Sequence, residues 1–435
     1  MLKRIVGLPW LCPLMLFLIG GVANAYDYPI TDPYAATVIG TPPEYAYVVP
    51  GKVPVKNDTI EIFPERVVPE VLWNLKKLRY SYLAQKKAAP LIFLIAGTGA
   101  SFQSPKMLAM QKAFYHAGYH VVSITSPTHP NFIVAASTSS VPGHLVEDSR
   151  DIYRVMEAIW AKLQKKNIQA TDFYLTGYSL GAAQSAFVSR LDEQKKLFNF
   201  RRVLLINPPV SLYNSVMLLD GMLAKLPGGV NNFDVFYKSA VAAFADVYKH
   251  HQHVDFNDDF LFQAFKYGKL SNDTNLEVLI GTSFRISSQG MAFSADHMTE
   301  AGYVVPKGLK LGQYDDLSGY AKVLSRLSFL DYFNGIFLPH FQAGNPGLSA
   351  AALIDQMSLR SIDGYLRSSP KIGLLGNDDD IILAPGEAGW LRDVFGSRAE
   401  MLPHGGHCGN MNYPYNVNAM LQFFATPAVA DNRSY

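Results

Sequence analysis

Three short stretches hold residue types suited to acyl transfer. Gly177-Tyr178-Ser179-Leu180-Gly181 reads G-x-S-x-G. Gly376-Asn377-Asp378-Asp379-Asp380 puts three carboxylates after an apolar run, and Pro403-His404-Gly405-Gly406-His407 puts two imidazoles in a glycine-rich loop. A neutral serine hydroxyl attacks carbonyls poorly unless a base removes its proton in the transition state. Histidine titrates near neutrality, so it can take that proton and return it to a leaving group. A carboxylate then orients the ring and supports the imidazolium. Ser179 is the candidate nucleophile, His407 or His404 the candidate base, and Asp378, Asp379 or Asp380 the candidate third member. Each residue also has an ordinary reading: a serine in a strand–helix turn, loop histidines, and carboxylates that form turns or cap helices.

Other features suit chemistry less well. His250-His251-Gln252-His253 with Asp255 matches no standard metal-ligand spacing and reads as a polar helix end, so no metal is assigned. His129, in Ser126-Pro127-Thr128-His129-Pro130, follows a predicted strand. Cys12 lies in the N-terminal leader, and Cys408 alone cannot close an internal disulfide. A thiol beside two histidines could be a nucleophile, but Ser179 already fills that role, and Cys408 reads as a buried spectator. Nothing in the sequence calls for a cofactor.

The elements that would position these residues alternate between strand and helix. Leu91–Ile95 is a continuous apolar run, as in a strand buried on both faces. A loop at Gly97-Thr98-Gly99 and a helix over Pro105–His116 follow, then a strand over Tyr119–Ile124. A long helix is predicted over Pro142–Lys166, with Leu145, Ile152, Val155, Ile159 and Leu163 inward. Phe173–Thr176 leads into the serine turn, and Val203–Ile206 is another buried strand ending at Asn207-Pro208-Pro209. The rhythm then stops between about 210 and 368. Helical patterns take over there, at Leu218–Leu226, Val235–Tyr248 and Phe256–Tyr267, the last two crowded with aromatics. It resumes with a strand at Ile372–Leu375, a helix at Glu387–Val394, a strand at Ala399–Leu402 and a helix at Asn416–Phe424. Such alternation means parallel βαβ units. Before it, Tyr45–Val49 and Thr59–Phe63 read as edge strands, and Val68–Lys87 reads as a helix with Val71, Leu72, Leu75, Leu78 and Tyr82 on one face.

About half of the 435 residues are apolar, and 38 basic side chains nearly balance 36 acidic ones. This is a globular composition with an ample core, and the charge balance gives no sign of a nucleic-acid partner. Lys3 and Arg4 precede an apolar run over Ile5–Val22 and the small-x-small Ala23-Asn24-Ala25. That pattern predicts a cleaved export leader over 1–25, a mature chain starting at Tyr26, no stable membrane span afterwards, and, with so few cysteines, a bacterial periplasm. The remaining organisation is an N-terminal lead-in over 26–89, a core formed by 90–209 with 369–435, and a helical cap over 210–368.

On G-Y-S-L-G, G-N-D-D-D-I-I and G-G-H-C-G, in the chain order Ser, Asp, His, residues 90–425 resemble the α/β-hydrolase fold. The resemblance implies a mostly parallel central sheet flanked by helices, with a large cap inserted after the strand ending at Ile206. It favours His407, after the paired glycines, as base. It favours Asp379 as acid, because one variable residue and two apolar ones, Ile381 and Ile382, follow it. It places the oxyanion donors at Leu180 and in the loop after Ile95, at Thr98 or alternatively Gly99, where Ala96-Gly97 stands in place of the common His-Gly. The activity implied is a serine hydrolase of carboxylic esters acting on a small-molecule substrate, with a hydrophobic acyl half suited to the aromatic cap. A thioesterase or peptidase would use the same triad, and a non-catalytic binding protein could share the fold.

Overall fold

In the strand Ala89–Ile95, Leu91, Phe93 and Ile95 point to one face of a sheet while Ile92 and Leu94 point to the other, and all five are fully buried. This two-sided burial explains the unbroken apolar run and requires helices on both faces. The computed structural model describes residues 26–226, 238 and 275–426. The leader, the two aromatic patterns at 235–248 and 256–267 and the histidine cluster at 250–253 lie outside the described residues, apart from Lys238.

The sheet has eight strands: β1 Lys56–Ile60, β2 Leu78–Leu83, β3 Ala89–Ile95, β4 His120–Ile124, β5 Ala170–Tyr178, β6 Arg202–Ile206, β7 Ile372–Asn377 and β8 Ala399–Leu402. Their order is β1-β2-β4-β3-β5-β6-β7-β8. β2 is antiparallel to β1 and β4, and the other neighbours are parallel. Parallel strands need crossovers, and helices supply them.

The helices are α1 Pro33–Ile39, α2 Pro105–His116, α3 Pro130–Ala135, α4 Leu145–Lys165, α5 Leu180–Lys195, α6 Leu212–Gly221, α7 Leu276–Thr299, α8 Glu387–Phe395 and α9 Pro414–Ala425, with shorter helices between α7 and β7; α1 precedes the sheet and α9 follows it. On one face Ile152, Val155, Ile159 and Leu163 of α4 and Ala183, Ala186 and Phe187 of α5 pack on Phe93, Leu175, Val203 and Leu205. On the other, Met107, Met110 and Phe114 of α2 meet Val417, Met420 and Phe424 of α9 over Ile92, Leu94, Leu204 and Ile206. The chain between β6 and β7 contributes α6, α7 and further helices, and its Phe329, Phe333 and Phe337 join the α4–α5 side of the core. Among the described residues no helix is long and apolar enough to cross a membrane.

Two sequence expectations are corrected in the lead-in. Residues 68–87 are not one helix: a 3₁₀ turn at Glu70–Leu75 precedes β2. Leu75, Leu78 and Tyr82 fit a helix face, but Leu78, Tyr80 and Tyr82 also alternate as in a strand, and pairing with β1 and β4 decides between the two. Residues 45–49 form no strand; a 3₁₀ turn at Pro43–Tyr45 opens the stretch, and the Tyr47 N–H donates to the Asn412 carbonyl at 2.8 Å rather than to a ladder. The first strand lies three residues earlier than expected, at Lys56–Ile60.

Candidate active site

β5 ends at Tyr178 and α5 begins at Leu180, so Ser179 alone makes the turn, at φ 54° and ψ −129°. A non-glycine residue in the left-handed region is held there only when its surroundings over-determine it. The surroundings are tight. A Cβ on Gly177 would lie 2.4 Å from the Gly181 carbonyl oxygen, and one on Gly181 would lie 2.3 Å from that of Ile95. Only glycine permits strand and helix to approach this closely. The Ser179 N–H donates to the Ile206 carbonyl at 2.9 Å, which anchors the turn to β6.

The loop after β8 brings His407 over this serine. His407 Nε2 lies 2.8 Å from Ser179 Oγ. Its Nδ1 lies 2.9 and 3.0 Å from the two carboxylate oxygens of Asp380. A carboxylate only accepts, so Nδ1 carries the proton and Nε2 is left to accept from the serine hydroxyl. Asp380 is buried, and its oxygens also accept from Asn207 Nδ2 at 2.9 Å and from the Ile382 N–H at 3.2 Å. Burial works against an imidazolium at His407, but the adjacent Asp380 carboxylate outweighs it and holds the imidazole pKa above its ordinary value.

The expectation that Asp379 would pair with His407 is therefore corrected to Asp380. Asp379 points to the backbone of the histidine loop and accepts from the N–H groups of Gly405 at 3.1 Å and Gly406 at 2.9 Å. Desolvation there pushes its carboxyl pKa upward. Asp378 is exposed and pairs with Arg392. The three adjacent aspartates thus do three different things, and their directions follow from how the chain turns after β7.

His404 is directed away from the serine: its Nε2 meets the Tyr28 carbonyl at 2.9 Å, and its own carbonyl accepts from the Tyr26 hydroxyl at 2.5 Å. The N-terminal segment braces the loop further. Thr37 Oγ1 accepts from the His407 N–H at 2.9 Å, and a Cβ on Gly406 would lie 2.1 Å from the Pro33 carbonyl oxygen. From inside, Asn377 Nδ2 donates to the Gly406 carbonyl at 2.7 Å and shares a side-chain amide pair with Asn410. Sequence reading missed this bracing by Thr37, Asn207 and Asn377. Asn207 and Asn377 lie in Asn-Pro-Pro and Gly-Asn-Asp-Asp-Asp stretches that the sequence marks as strand ends, whereas nothing local marks Thr37.

Thr98 and Leu180 line one cavity together with Ser179 and His407. The Leu180 amide is the first of α5 and has no carbonyl one turn back to meet. The Gly99 N–H is already given to Thr128 Oγ1 at 2.8 Å. His129 caps α3, its Nδ1 accepting from the Asn131 N–H at 3.1 Å, and is absent from the lining of the serine cavity. Cys408 is buried and free, with Sγ 3.8 Å from His407 Nε2, so it belongs to the wall of the site. Among the described residues no group of histidine, cysteine and carboxylate side chains could hold a metal ion.

No family model matches the chain, and no curated protein matches it. Solved structures resemble it at low sequence identity. A thioesterase domain from the curacin biosynthetic pathway is 11% identical over 86% of this chain and 99% of its own, with a TM-score of 0.38. An esterase of Pyrococcus furiosus is 11% identical over 87% and 92%, with a TM-score of 0.40. A proline iminopeptidase of Mycobacterium smegmatis is 14% identical over 85% and 97%, with a TM-score of 0.38. The chain's own features carry the assignment: a mostly parallel eight-stranded sheet, a left-handed serine between β5 and α5, and an aspartate and a histidine on the loops after β7 and β8. Together they make this an α/β-hydrolase fold.

Proposed function

We propose that this protein is a serine hydrolase of carboxylic esters. The observation that carries the reading is the unbroken line from Asp380 through His407 to Ser179, with contacts of 2.9 and 2.8 Å. In this reading Ser179 Oγ attacks the ester carbonyl while His407 Nε2 takes its proton. The oxyanion faces the Thr98 and Leu180 amides, and Asp380 stabilises the imidazolium. His407 gives the proton to the departing alkoxide, and water activated by the same imidazole later frees the acid.

The helices between β6 and β7 act as a cap over the serine. α6 and α7 lend the cavity Leu212, Val216, Leu219, Ile280 and Phe284, which favour an apolar acyl group. Export through a cleaved leader to the periplasm belongs to the same proposal and draws support from the basic, apolar and small-residue pattern of residues 1–25. Amino-terminal sequencing of the exported protein tests it: a start at Tyr26 is expected.

Labelling by a fluorophosphonate, with a matched panel of esters, thioesters and amides, tests the activity. Covalent labelling that disappears in Ser179→Ala, together with fastest turnover on esters, is expected. A folded protein that neither labels nor turns over any ester contradicts the reading.

A further inference from the structure

Acylation gives the substrate two distinguishable sides. The Ser179 Oγ–carbon bond forms, the bond from that carbon to the alkyl oxygen breaks, and the serine proton passes through His407 Nε2 to the departing oxygen. That oxygen must come within hydrogen-bond reach of Nε2, while the carbonyl oxygen faces Thr98 and Leu180. The alcohol half therefore lies toward His407 and Cys408, and the acyl half lies away from them.

Two further spaces adjoin the serine cavity. One, lined by Thr98, Leu180 and apolar side chains of α6 and α7, includes no residue of the histidine loop. The other, a groove between α1, α2 and α9, takes Cys408 and Gly409 of the histidine loop into its lining. It shares Thr37, Lys106 and Cys408 with the serine cavity, so the two spaces adjoin at those residues. Ala109, Met110 and Met420 are among its mostly apolar walls. Lys106 stands at the junction. Among the described residues it is the only Lys, Arg, Asp or Glu side chain lining either space, it is half-buried, and it makes no hydrogen bond or ion pair. A partly desolvated ammonium without a counter-charge is a ready partner for an anion.

We propose that this groove is the leaving-group subsite and that Lys106 selects esters whose alcohol half carries an anionic group close to the ester and an apolar body beyond it. The inference rests on the ester-hydrolase reading above and refines its substrate class.

Three esters of one short acid test it: those of 2-hydroxyoctanoate, 2-octanol and methanol. The first two share an apolar body and differ mainly in the carboxylate beside the ester oxygen. Rates are normalised to enzyme active by fluorophosphonate labelling. The wild type is expected to favour the 2-hydroxyoctanoate ester over the 2-octanol ester by about tenfold or more in kcat/KM, chiefly through KM, a difference of about 1.4 kcal/mol. Lys106→Met brings that ratio near one, Lys106→Arg keeps most of it, and added salt lowers it only where the cation is present. Ala109→Trp, which fills the groove, raises KM for the 2-octanol ester relative to the methyl ester. A ratio unchanged by Lys106→Met, or a 2-octanol ester indifferent to Ala109→Trp, overturns the inference while leaving the hydrolase reading intact. Absence of both labelling and methyl-ester hydrolysis overturns the two together.

Discussion

The Asp380 carboxylate straddles Nδ1 of His407, with one oxygen at 2.9 Å and the other at 3.0 Å, while its immediate neighbour Asp379 faces the amides of Gly405 and Gly406. Adjacent carboxylates that point in different directions should be separable by mutation. Asp380→Asn is expected to lower kcat by about 10³–10⁴, because an asparagine can stabilise the wrong tautomer of the ring. Asp379→Asn should cost no more than about tenfold in rate and about 1 kcal/mol in stability, since it loosens a loop rather than touching the imidazole. Steady-state kinetics and urea unfolding of both variants check this; a larger rate loss at 379 than at 380 would reverse the assignment.

Ser179→Ala and His407→Ala should each reduce turnover by about 10⁴ or more without unfolding the chain, and the double variant should be little worse than either. The unit acts as a whole, so the losses do not add. Residual rates measured beside circular dichroism decide the matter, and additive losses would mean that the two residues act separately.

His407 must be neutral to accept the serine proton, and the Asp380 carboxylate raises its pKa. A raised pKa keeps the ring protonated to higher pH. The acidic limb of kcat/KM should therefore rise through a midpoint above 6.5, and removing the carboxylate in Asp380→Asn should move that midpoint downward. A pH–rate profile with the limb at or below 6.5 in the parent protein would contradict the electrostatic account.

The N–H of His407 donates to Thr37 Oγ1 at 2.9 Å, and the same hydroxyl donates to the Pro33 carbonyl at 2.7 Å. Thr37→Val keeps the shape and deletes both bonds. A loss of about 1–2 kcal/mol in stability is expected, with a fall in kcat from a less well-held imidazole. Unchanged melting temperature and kcat would show that α1 does not brace the loop.

Gly181→Ala would place a Cβ within 2.3 Å of the Ile95 carbonyl oxygen, in the middle of the sheet. Because backbone and not a flexible side chain blocks the space, a cost of about 1–3 kcal/mol or more is expected, with impaired labelling of Ser179 from a displaced turn. Denaturant midpoints compared with those of Gly221→Ala, where nothing lies within 4 Å of the added Cβ, provide the control.

Much of this molecule could be read from the chain itself. Apolar runs such as Leu91–Ile95 declare doubly buried strands, because a continuous hydrophobic strand is stable only with helices on both faces. The 3.6-residue period of α4 named its buried residues Ile152, Val155, Ile159 and Leu163. Glycines at 177 and 181 around a serine mark a turn that few other residues permit. Local rules of this kind concern neighbours in sequence, where covalent geometry limits the choices.

The tertiary structure decided what those rules cannot reach. Leu78, Tyr80 and Tyr82 became a strand because β1 and β4 offered partners, against the helical spacing of Leu75, Leu78 and Tyr82. Which of three consecutive aspartates meets His407 depends on where the loop after β8 arrives in space, more than twenty residues further along the chain. The hydrogen bonds from Asn207 and to Thr37 likewise join segments 170 residues or more apart. Pattern and propensity describe the nearby chain, whereas the direction of a side chain at the sheet's edge is set by distant backbone that packs around it.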